Sequence, residues 1–304
     1  MDRNLALEFV RVTEAAAIAA ASWIGKGDKH AADGAAVAEM RDRFNQIDFS
    51  GRVVIGEGTK DQAPMLFVGE TLGKARNLPA GRQVDIAVDP LECTSSVAFG
   101  RYNAMSVAVA GAKDTLLSPP DDEAHFYMFQ IAVGPKAAQA IDLNASVKTN
   151  IEKTANALGK PIEDITVVLL DRPRHEKLIS EVRATGARVR LITDGTIAAG
   201  VATCLPETGI DLMMGVGGAT EAVLTAAAVK VLGGQLYARF EDSKIYSAED
   251  LAKGDQITFT ATGIIDGPLL QGVRYEDHKI ITHSMVIRGQ SKTIRYITTH
   301  HYAK

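Results

Sequence analysis

Apolar residues recur at steps of three and four over the first fifty positions, a spacing typical of amphipathic helices. One face of the first predicted helix carries Leu5, Phe9, Val12, Ala16, Ala19 and Trp23. The glycines of Gly25-Lys26-Gly27 interrupt the pattern and end this helix. The buried side of a second helix is formed by Ala36, Met40, Phe44 and Ile47. The chain is therefore expected to begin with two amphipathic helices.

After position 50 the pattern changes to short apolar runs, which are typical of β-strands. The first of these predicted strands cover residues 52–55, 84–88, 104–109 and 127–133, with a polar loop at 118–122. Strands return towards the C-terminus, at residues 235–240, 256–261, 279–287 and 293–298. Strand-rich segments thus flank a central region that has a different pattern.

The central region alternates strands with helices. Its strands are predicted at residues 166–170, 188–192 and 210–214, and its helices at 148–158, 175–184 and 222–232. Right-handed crossovers would place Asp171, Asp194 and Gly217-Gly218, which follow these strands, on one edge of a largely parallel sheet. In open α/β sheets, ligands bind at this edge, outside the carboxyl ends of the strands. We therefore expect a binding site there.

A glycine-rich segment at residues 215–221 connects the last of these strands to a helix. Backbone N–H groups at the start of a helix can bind a phosphate group, and glycines let a ligand approach closely. A tight turn between a strand and a helix would need the same glycines. The segment alone leaves both interpretations open.

Composition restricts the class of protein but does not indicate an activity. The chain has 304 residues, 46% of them hydrophobic, which is enough for a large core in one or two domains. Its formal charge of −4 argues against nucleic acid as the main ligand. Two cysteines, Cys93 and Cys204, form no disulfide framework, and no signal peptide or membrane-spanning run is visible. A cytoplasmic protein without membrane partners is expected.

Two carboxylates stand at the end of the strand predicted at 84–88. Asp89-Pro90-Leu91-Glu92 follows this strand, and Pro90 is expected to end it because proline cannot donate a ladder hydrogen bond. Paired carboxylates suit Mg²⁺ or Mn²⁺, and these cations suit phosphate esters. Glu57, between two glycines after another strand, and Asp33, in the first turn of the second helix, are further candidates. Solvated acidic turns remain the alternative for each segment taken alone.

Ordered motifs along nearly the whole chain match one family. They include Gly27-Asp28-Lys29 with Asp33, VVIGEG at 53–58, Ala63-Pro64-Met65-Leu66, VDIAVDPLE at 84–92, Tyr127-Met128, Ala132-Val133-Gly134-Pro135, Asp171-Arg172-Pro173-Arg174-His175, Asp194-Gly195, GVGGATE at 215–221, and the C-terminal GVRY, THSMVIR and TIRYI. With these motifs the chain resembles the class II fructose-1,6-bisphosphatases, which belong to the lithium-sensitive, metal-dependent phosphatases.

The resemblance implies an α/β fold, a layered α-β-α-β-α sandwich of the sugar-phosphatase type with two α/β subdomains. All 304 residues would form one family domain. Within it, residues 1–145 with 240–304 would form the half that carries the metal site. Residues 146–239 would form the substrate-binding half.

The resemblance also implies the site residues. The metal ligands would be Asp33, Glu57, Asp89, Glu92 and Glu221, holding two Mg²⁺ or Mn²⁺ ions. The catalytic residues would be Asp89, Glu92 and Thr94. The substrate contacts would be Glu92, Cys93, Thr94, Tyr127, Arg172, Pro173, Arg174, Asp194, Gly195, Thr196 and Gly218. In physical terms, the cations polarise a phosphoryl group, and the arginines can bind the second phosphate.

Several positions depart from the family pattern. The family motifs GEGE, DEAPM and DGD contain carboxylates where this chain has Thr59, Gln62 and Thr196. The family EGT is Glu-Cys-Thr here, with Cys93 in place of glycine, and a family lysine is Gln130. If that glycine needs a positive φ, Cys93 is strained or its loop is shifted. These changes leave it open whether the site is impaired.

The expected activity is hydrolysis of a sugar bisphosphate, with fructose 1,6-bisphosphate giving fructose 6-phosphate and phosphate in gluconeogenesis. One alternative is a phosphatase for sedoheptulose 1,7-bisphosphate or another phosphate ester. A second alternative is an impaired relative that binds a sugar phosphate without efficient turnover. The resemblance further implies a homo-oligomer, a dimer or a tetramer.

Overall fold

Two β-sheets, each with its own helices, carry the fold in this computed structural model, which describes residues 5–58, 65–75, 83–118, 127–240 and 244–302. The chain divides into a first unit, Met1–Ala124 with Gly254–Lys304, and a second unit, His125–Lys253. The boundaries expected near 146 and 239 both fall inside the second unit, whose sheet also includes the strands Tyr127–Val133 and Tyr246–Ser247. The predicted mixed α/β class is confirmed.

In the described residues, the first unit contains an eight-stranded sheet. Its strands are β1 (Ser50–Ile55), β2 (Thr71–Leu72), β3 (Gln83–Glu92), β4 (Ala104–Ala112), β11 (Ile257–Ile265), β12 (Arg274–Glu276), β13 (Lys279–Arg288) and β14 (Thr293–Tyr302). Their order is β12-β13-β11-β4-β3-β1-β2, with β14 also paired to β13. β1 and β3 run parallel, while β3 and β4 run antiparallel.

The helices of the first unit are α1 (Leu5–Ala21), α2 (Lys29–Asn45) and α3 (Thr94–Phe99). Asp28 caps α2 by accepting a hydrogen bond from the N–H of Ala31 at 2.9 Å. This cap makes Lys29 the first helical residue, so Asp33 lies in the second turn and the predicted first-turn position was wrong. Both predicted helices are present, and their apolar faces pack together, with the Phe9 and Phe44 rings edge-on at 5.4 Å.

Pro90 does not end β3, which contradicts the sequence-based expectation. The strand continues to Glu92, and its register against β4 shifts between Asp89 and Glu92. A proline fits inside a strand at such a bulge because the ladder is already interrupted there. β1 pairs with β3 only as far as Ala87, so Pro90 lies beyond the last paired residues on that side.

The second unit contains a six-stranded sheet in the described residues, in the order β10-β9-β5-β8-β6-β7. Its strands are β5 (Tyr127–Val133), β6 (Thr166–Leu170), β7 (Arg188–Ile192), β8 (Leu212–Gly218), β9 (Gln235–Arg239) and β10 (Tyr246–Ser247). β6 runs parallel to β7 and β8, whereas β5 pairs antiparallel with β8 and β9. The sheet is therefore mixed, and the prediction of a largely parallel sheet holds for its βα half.

The helices of this unit are α4 (Val147–Leu158), α5 (Glu176–Ala184), α6 (Ile197–Ala202), α7 (Ala219–Val231) and α8 (Ala248–Leu251). The predicted glycine-rich loop at 215–221 is wrong, because Gly215 to Gly218 complete β8 and pair with β5. The segment is therefore the end of a strand that leads directly into α7, and the Val216 N–H donates to the ring of His175. Gly218 is both the last residue of β8 and the N-cap of α7.

No described helix is long and apolar enough to span a membrane. Most of the predicted loop at 118–122 lies outside the described residues, since the structure describes Ser118 and resumes at Tyr127. Thr59 and Gln62 also lie outside them.

Candidate active site

In the first unit, Glu57 and Asp89 follow two neighbouring parallel strands. Ile55 of β1 pairs with Ala87 of β3, and each carboxylate lies two residues beyond this pair. The carboxyl ends of parallel neighbours meet at the same edge of a sheet, as the sequence pattern predicted for acids at strand ends. Asp89 is half-buried at this edge. The register thus brings acids from two distant segments to one sheet edge.

Asp33 on α2 lies close enough to Glu57 for the two carboxylates to interact. Burial and the nearby Asp33 charge raise the pKa of Glu57 to about 7. Burial also raises the pKa of Asp33, and the nearby His30 opposes that rise. A carboxylate whose ionisation is opposed by a neighbouring carboxylate suits a divalent cation, since the cation would relieve the repulsion between them. Asp33 and Glu57 therefore have the oxygen donors and the electrostatics of a cation-binding pair.

Glu92, Cys93 and Thr94 form the turn that links β3 to α3. Glu92 and Cys93 are buried, and the Thr94 hydroxyl donates a hydrogen bond to the carbonyl of Leu91 at 3.2 Å. Cys93 has φ of +73°, in the left-handed region that favours glycine. The loop therefore keeps the backbone conformation that a glycine would adopt easily, and Cys93 is strained by about 1–2 kcal/mol.

In the second unit, two arginines lie at the carboxyl end of β6. The Arg172 guanidinium is 3.6 Å from the Asp194 carboxylate, so the ends of β6 and β7 are linked by an ion pair. The Arg174 guanidinium stacks over the Tyr127 ring, 4.9 Å from its centroid, and donates a hydrogen bond to the Val216 carbonyl at 3.0 Å. Arg174 and Tyr127 are exposed, so this edge presents positive charge to solvent.

Glu221 lies at the same edge of the second unit. It is the third residue of α7, and its side chain folds back against Gly218, where a Cβ atom would lie 2.1 Å from a carboxylate oxygen. Glycine is therefore required at 218 for this carboxylate position. Burial and the Asp194 charge raise the pKa of Glu221, while a hydrogen bond to its own backbone N–H lowers it. Asp194 and Glu221 thus form a second pair of interacting acids.

The remaining predicted residues of this unit shape the same edge. Pro173 opens a 3-10 turn after β6, Gly195 has φ of +72°, and Thr196 is a buried residue at the start of α6. Tyr127 pairs with Gly218 across β5 and β8. The second-unit residues implied by the family resemblance therefore lie along one edge of its sheet.

Two buried residues at this edge were given no role from the sequence. His175 connects β6 to β8, because its Nδ1 bonds the Leu170 carbonyl at 2.9 Å and its Nε2 accepts from the Val216 N–H at 2.8 Å. Gln130 is fully buried and donates to the Gly218 carbonyl at 3.1 Å. The available signals were that each sits in or beside a matched family motif and that Gln130 stands where the family has a lysine. Sequence alone could not show that these polar groups are buried.

Within the described residues, no group of three or more Asp, Glu, His or Cys side chains lies close enough to form a preformed metal site. The acids occur instead as the pairs Asp33–Glu57 and Asp194–Glu221, with Asp89 and Glu92 on β3. Carboxylate pairs of this kind fit a hard cation such as Mg²⁺ or Mn²⁺. The assignment of Glu221 as a metal ligand stays a prediction.

Acid pairs at one sheet edge and exposed arginines at another are the features of an enzyme that acts on phosphate esters with a divalent cation. Comparison with known proteins narrows this class. The family described as bacterial fructose-1,6-bisphosphatase, glpX-encoded, matches residues 3–301. The chain belongs to this family, a family of metal-dependent phosphatases.

Curated relatives support the same assignment. The chain is 41% identical to fructose-1,6-bisphosphatase 1 class 2 of Escherichia coli K12, with 99% of this chain and 96% of the relative covered. It is also 41% identical to the fructose-1,6-bisphosphatases class 2 of Escherichia coli O6:H1 and Shigella flexneri, with the same coverage. The similarity therefore extends over both structural units.

Proposed function

We propose that this protein hydrolyses fructose 1,6-bisphosphate to fructose 6-phosphate and inorganic phosphate. The observation that carries the proposal is the full-length membership of a family whose curated members bear that activity in their names. The paired acids and exposed arginines described above support it independently, because a sugar bisphosphate needs both a reactive centre and an anion-binding surface. Gluconeogenesis in the cytoplasm is the proposed setting.

The reactive centre is assigned to the first unit. Asp33, Glu57, Asp89 and Glu92 would hold Mg²⁺ or Mn²⁺, with Glu221 as a further ligand and two ions in total. When bound, the cations polarise the phosphoryl oxygens and lower the pKa of a bound water. Asp89 and Glu92 supply oxygens from one strand, which fixes their spacing along β3. Water adds to phosphorus, the bond from phosphorus to the sugar oxygen breaks, and the sugar oxygen takes up a proton.

Thr94 is assigned a role in orienting the reacting groups. Its hydroxyl donates to the Leu91 carbonyl, which leaves its oxygen lone pairs available as acceptors. A hydroxyl held in this way can accept a hydrogen bond from an attacking water and fix its direction. Thr94 follows Cys93 directly, so the conformation of the strained turn sets where this hydroxyl lies.

The non-reacting phosphate is assigned to the arginines of the second unit. A guanidinium group donates two parallel hydrogen bonds to a phosphate, and these charge-assisted bonds are stronger than neutral ones. Arg174 is held over the Tyr127 ring and Arg172 is paired with Asp194, so both are oriented before substrate arrives. Such preorganisation reduces the entropy lost on binding.

A second candidate function is sugar-phosphate binding with slow turnover. The observation that favours it is the left-handed conformation of Cys93, beside the proposed catalytic residue Thr94. Sedoheptulose 1,7-bisphosphate is the next candidate substrate, since it also carries two phosphates. A dimer or tetramer is the proposed assembly.

A panel of phosphate esters assayed with Mg²⁺ or Mn²⁺ tests these proposals together. Purified protein should release phosphate fastest from fructose 1,6-bisphosphate, more slowly from sedoheptulose 1,7-bisphosphate, and not at all after chelation of the metal. Binding of the bisphosphate without release, measured by calorimetry, would favour the second candidate. Light scattering from the same preparation measures the assembly.

A further inference from the structure

We propose that Arg41 and Glu70 are positioning residues that hold Glu57 next to Asp33, so that the two carboxylates can bind a divalent cation. Neither Arg41 nor Glu70 is a proposed ligand or substrate contact. Their side chains form an ion pair, called here the Arg41–Glu70 clamp. This inference rests on the metal-dependent function proposed above.

Three consecutive hydrogen bonds connect Arg41 to the Glu57 backbone. The Nε of Arg41 donates to one Glu70 carboxylate oxygen at 2.6 Å. The other Glu70 oxygen accepts a hydrogen bond from the N–H of Leu66. The carbonyl of Leu66 in turn accepts from the N–H of Glu57 at 3.1 Å. Both polar groups of Leu66 are thus committed, one to the clamp and one to the proposed metal ligand.

Leu66 itself has little freedom to move without breaking these bonds. Leu66 is fully buried, and its φ of +53° is unusual for a residue with a side chain. A Cβ atom at Gly56 would lie 2.1 Å from the Leu66 carbonyl oxygen, so the two backbone segments are already in close contact. A strained conformation persists only where the surroundings hold it, and Glu70 provides a charged acceptor for the Leu66 N–H.

The clamp joins this loop to the helix that carries the other carboxylate. Asp33 and Arg41 both lie on α2, eight residues apart, which is about 12 Å along a helix. A helix is rigid over this length, so a contact at Arg41 also fixes the loop relative to Asp33. Glu70 is only 7% exposed, and its charge is therefore weakly screened by solvent. Loss of the Arg41 charge should loosen the loop and with it the spacing between Glu57 and Asp33.

The second unit offers a matched ion pair away from the proposed ligands. Lys160 donates to the buried Asp211 at 2.6 Å, and the other Asp211 oxygen accepts from the Thr166 N–H at 3.0 Å. The cation is 41% exposed in both pairs, and the carboxylate is 9% exposed here. This pair lies at the amino end of β6, opposite the edge that carries Arg172 and Arg174. It therefore controls for the general effect of breaking a half-buried ion pair.

The test measures Mn²⁺ binding to the full chain by calorimetry without substrate, together with thermal unfolding. Arg41→Met keeps the aliphatic stem and removes the charge. We expect it to raise the Mn²⁺ dissociation constant at least about fivefold, because residues that orient metal ligands typically change affinity by about tenfold or more. Glu70→Gln, a second variant that keeps an acceptor for Leu66, should act in the same direction. Arg41→Lys should restore affinity to within about threefold.

Lys160→Met should lower thermal stability without changing the Mn²⁺ dissociation constant. Parent-like Mn²⁺ affinity in both Arg41→Met and Glu70→Gln would overturn the positioning role. If Arg41→Met does not fold, Glu70→Gln and Arg41→Lys decide the question. Failure of the parent itself to bind Mn²⁺ would overturn the proposed function along with the clamp, and the parent titration distinguishes that result from failure of the clamp alone.

Discussion

The two sheet edges that carry the candidate residues differ in the charges they present. The first unit gathers acids beside β1 and β3, where partial burial raises the pKa of Glu57 and Asp33. The second unit carries the half-buried Arg172, paired with Asp194, and the exposed Arg174 beside β6. Buried acids bind a cation tightly because little solvent competes, whereas exposed arginines attract a mobile anion. Under the proposed function, the first edge serves the chemistry and the second binds the substrate.

The largest expected effect tests the chemical role of the first edge. Asp89→Asn removes one negative oxygen while keeping the shape of the side chain. We expect kcat/KM for fructose 1,6-bisphosphate with Mn²⁺ to fall about a thousandfold, equivalent to about 4 kcal/mol. Thermal unfolding should change little, because Asp89 is half-buried. Asp114→Asn, at an exposed turn after β4, is the control. Equal activity of the two variants would remove Asp89 from the mechanism.

A substitution at the second edge should change substrate binding and leave turnover nearly unchanged. Arg174→Ala is expected to raise KM about tenfold, as loss of one charge-assisted interaction predicts, with kcat within about threefold of the parent. Arg183→Ala, an exposed arginine on α5 of the same unit, should leave both constants unchanged. A fall in kcat at unchanged KM would move Arg174 from substrate binding to chemistry.

A smaller effect tests the strained turn between β3 and α3. Cys93→Gly and Cys93→Ala both remove the thiol, but alanine keeps the Cβ atom that opposes a positive φ. We expect the glycine variant to be more stable than the alanine variant by about 1 kcal/mol in urea unfolding. An alanine variant as stable as the glycine variant would show that the turn carries no such strain.

The smallest expected effect concerns the buried His175. Burial is the main cause that lowers its pKa below the usual 6.5, helped by the charges of Arg174 and Arg172. The unfolded chain therefore binds a proton more readily than the folded protein, so the His175 contribution to stability is lost as pH falls below about 6.5. Unfolding free energies of the parent and His175→Gln should converge between pH 7 and pH 5. A constant difference would contradict this.

Local pattern was sufficient for most elements of the fold. The spacing of apolar residues around Phe9 and around Phe44 predicted two helices, and both are present. The strands β5, β6 and β7 lie where their apolar runs predicted them. The predictions at Pro90 and at Gly215 to Gly218 were wrong because proline and glycine usually end a strand. At the glycines the partner strand β5 overrides local preference, whereas Pro90 is tolerated because the β3–β4 ladder is irregular between Asp89 and Glu92.

The site was predictable only in part, for a related reason. The carboxylates could be named from the resemblance because their side chains bear the chemistry. The Arg41–Glu70 clamp joins residues that are 29 positions apart in the sequence. The His175 bridge to Val216 spans 41 positions. No period or motif encodes such pairings, since they follow from how the strands are ordered. The strain at Cys93 was anticipated as one of two outcomes, and the φ of +73° decides between them.

The division of roles between the two edges is tested most directly by comparing a bisphosphate with a monophosphate. The measurement is the ratio of kcat/KM for fructose 1,6-bisphosphate to kcat/KM for fructose 1-phosphate, in the parent and in Arg174→Ala. Fructose 1-phosphate keeps the reacting group and lacks the second phosphate. We predict that Arg174→Ala lowers this ratio about tenfold while its activity on fructose 1-phosphate stays at the parent level. An unchanged ratio would contradict the assignment of the second phosphate to the arginines of the second unit.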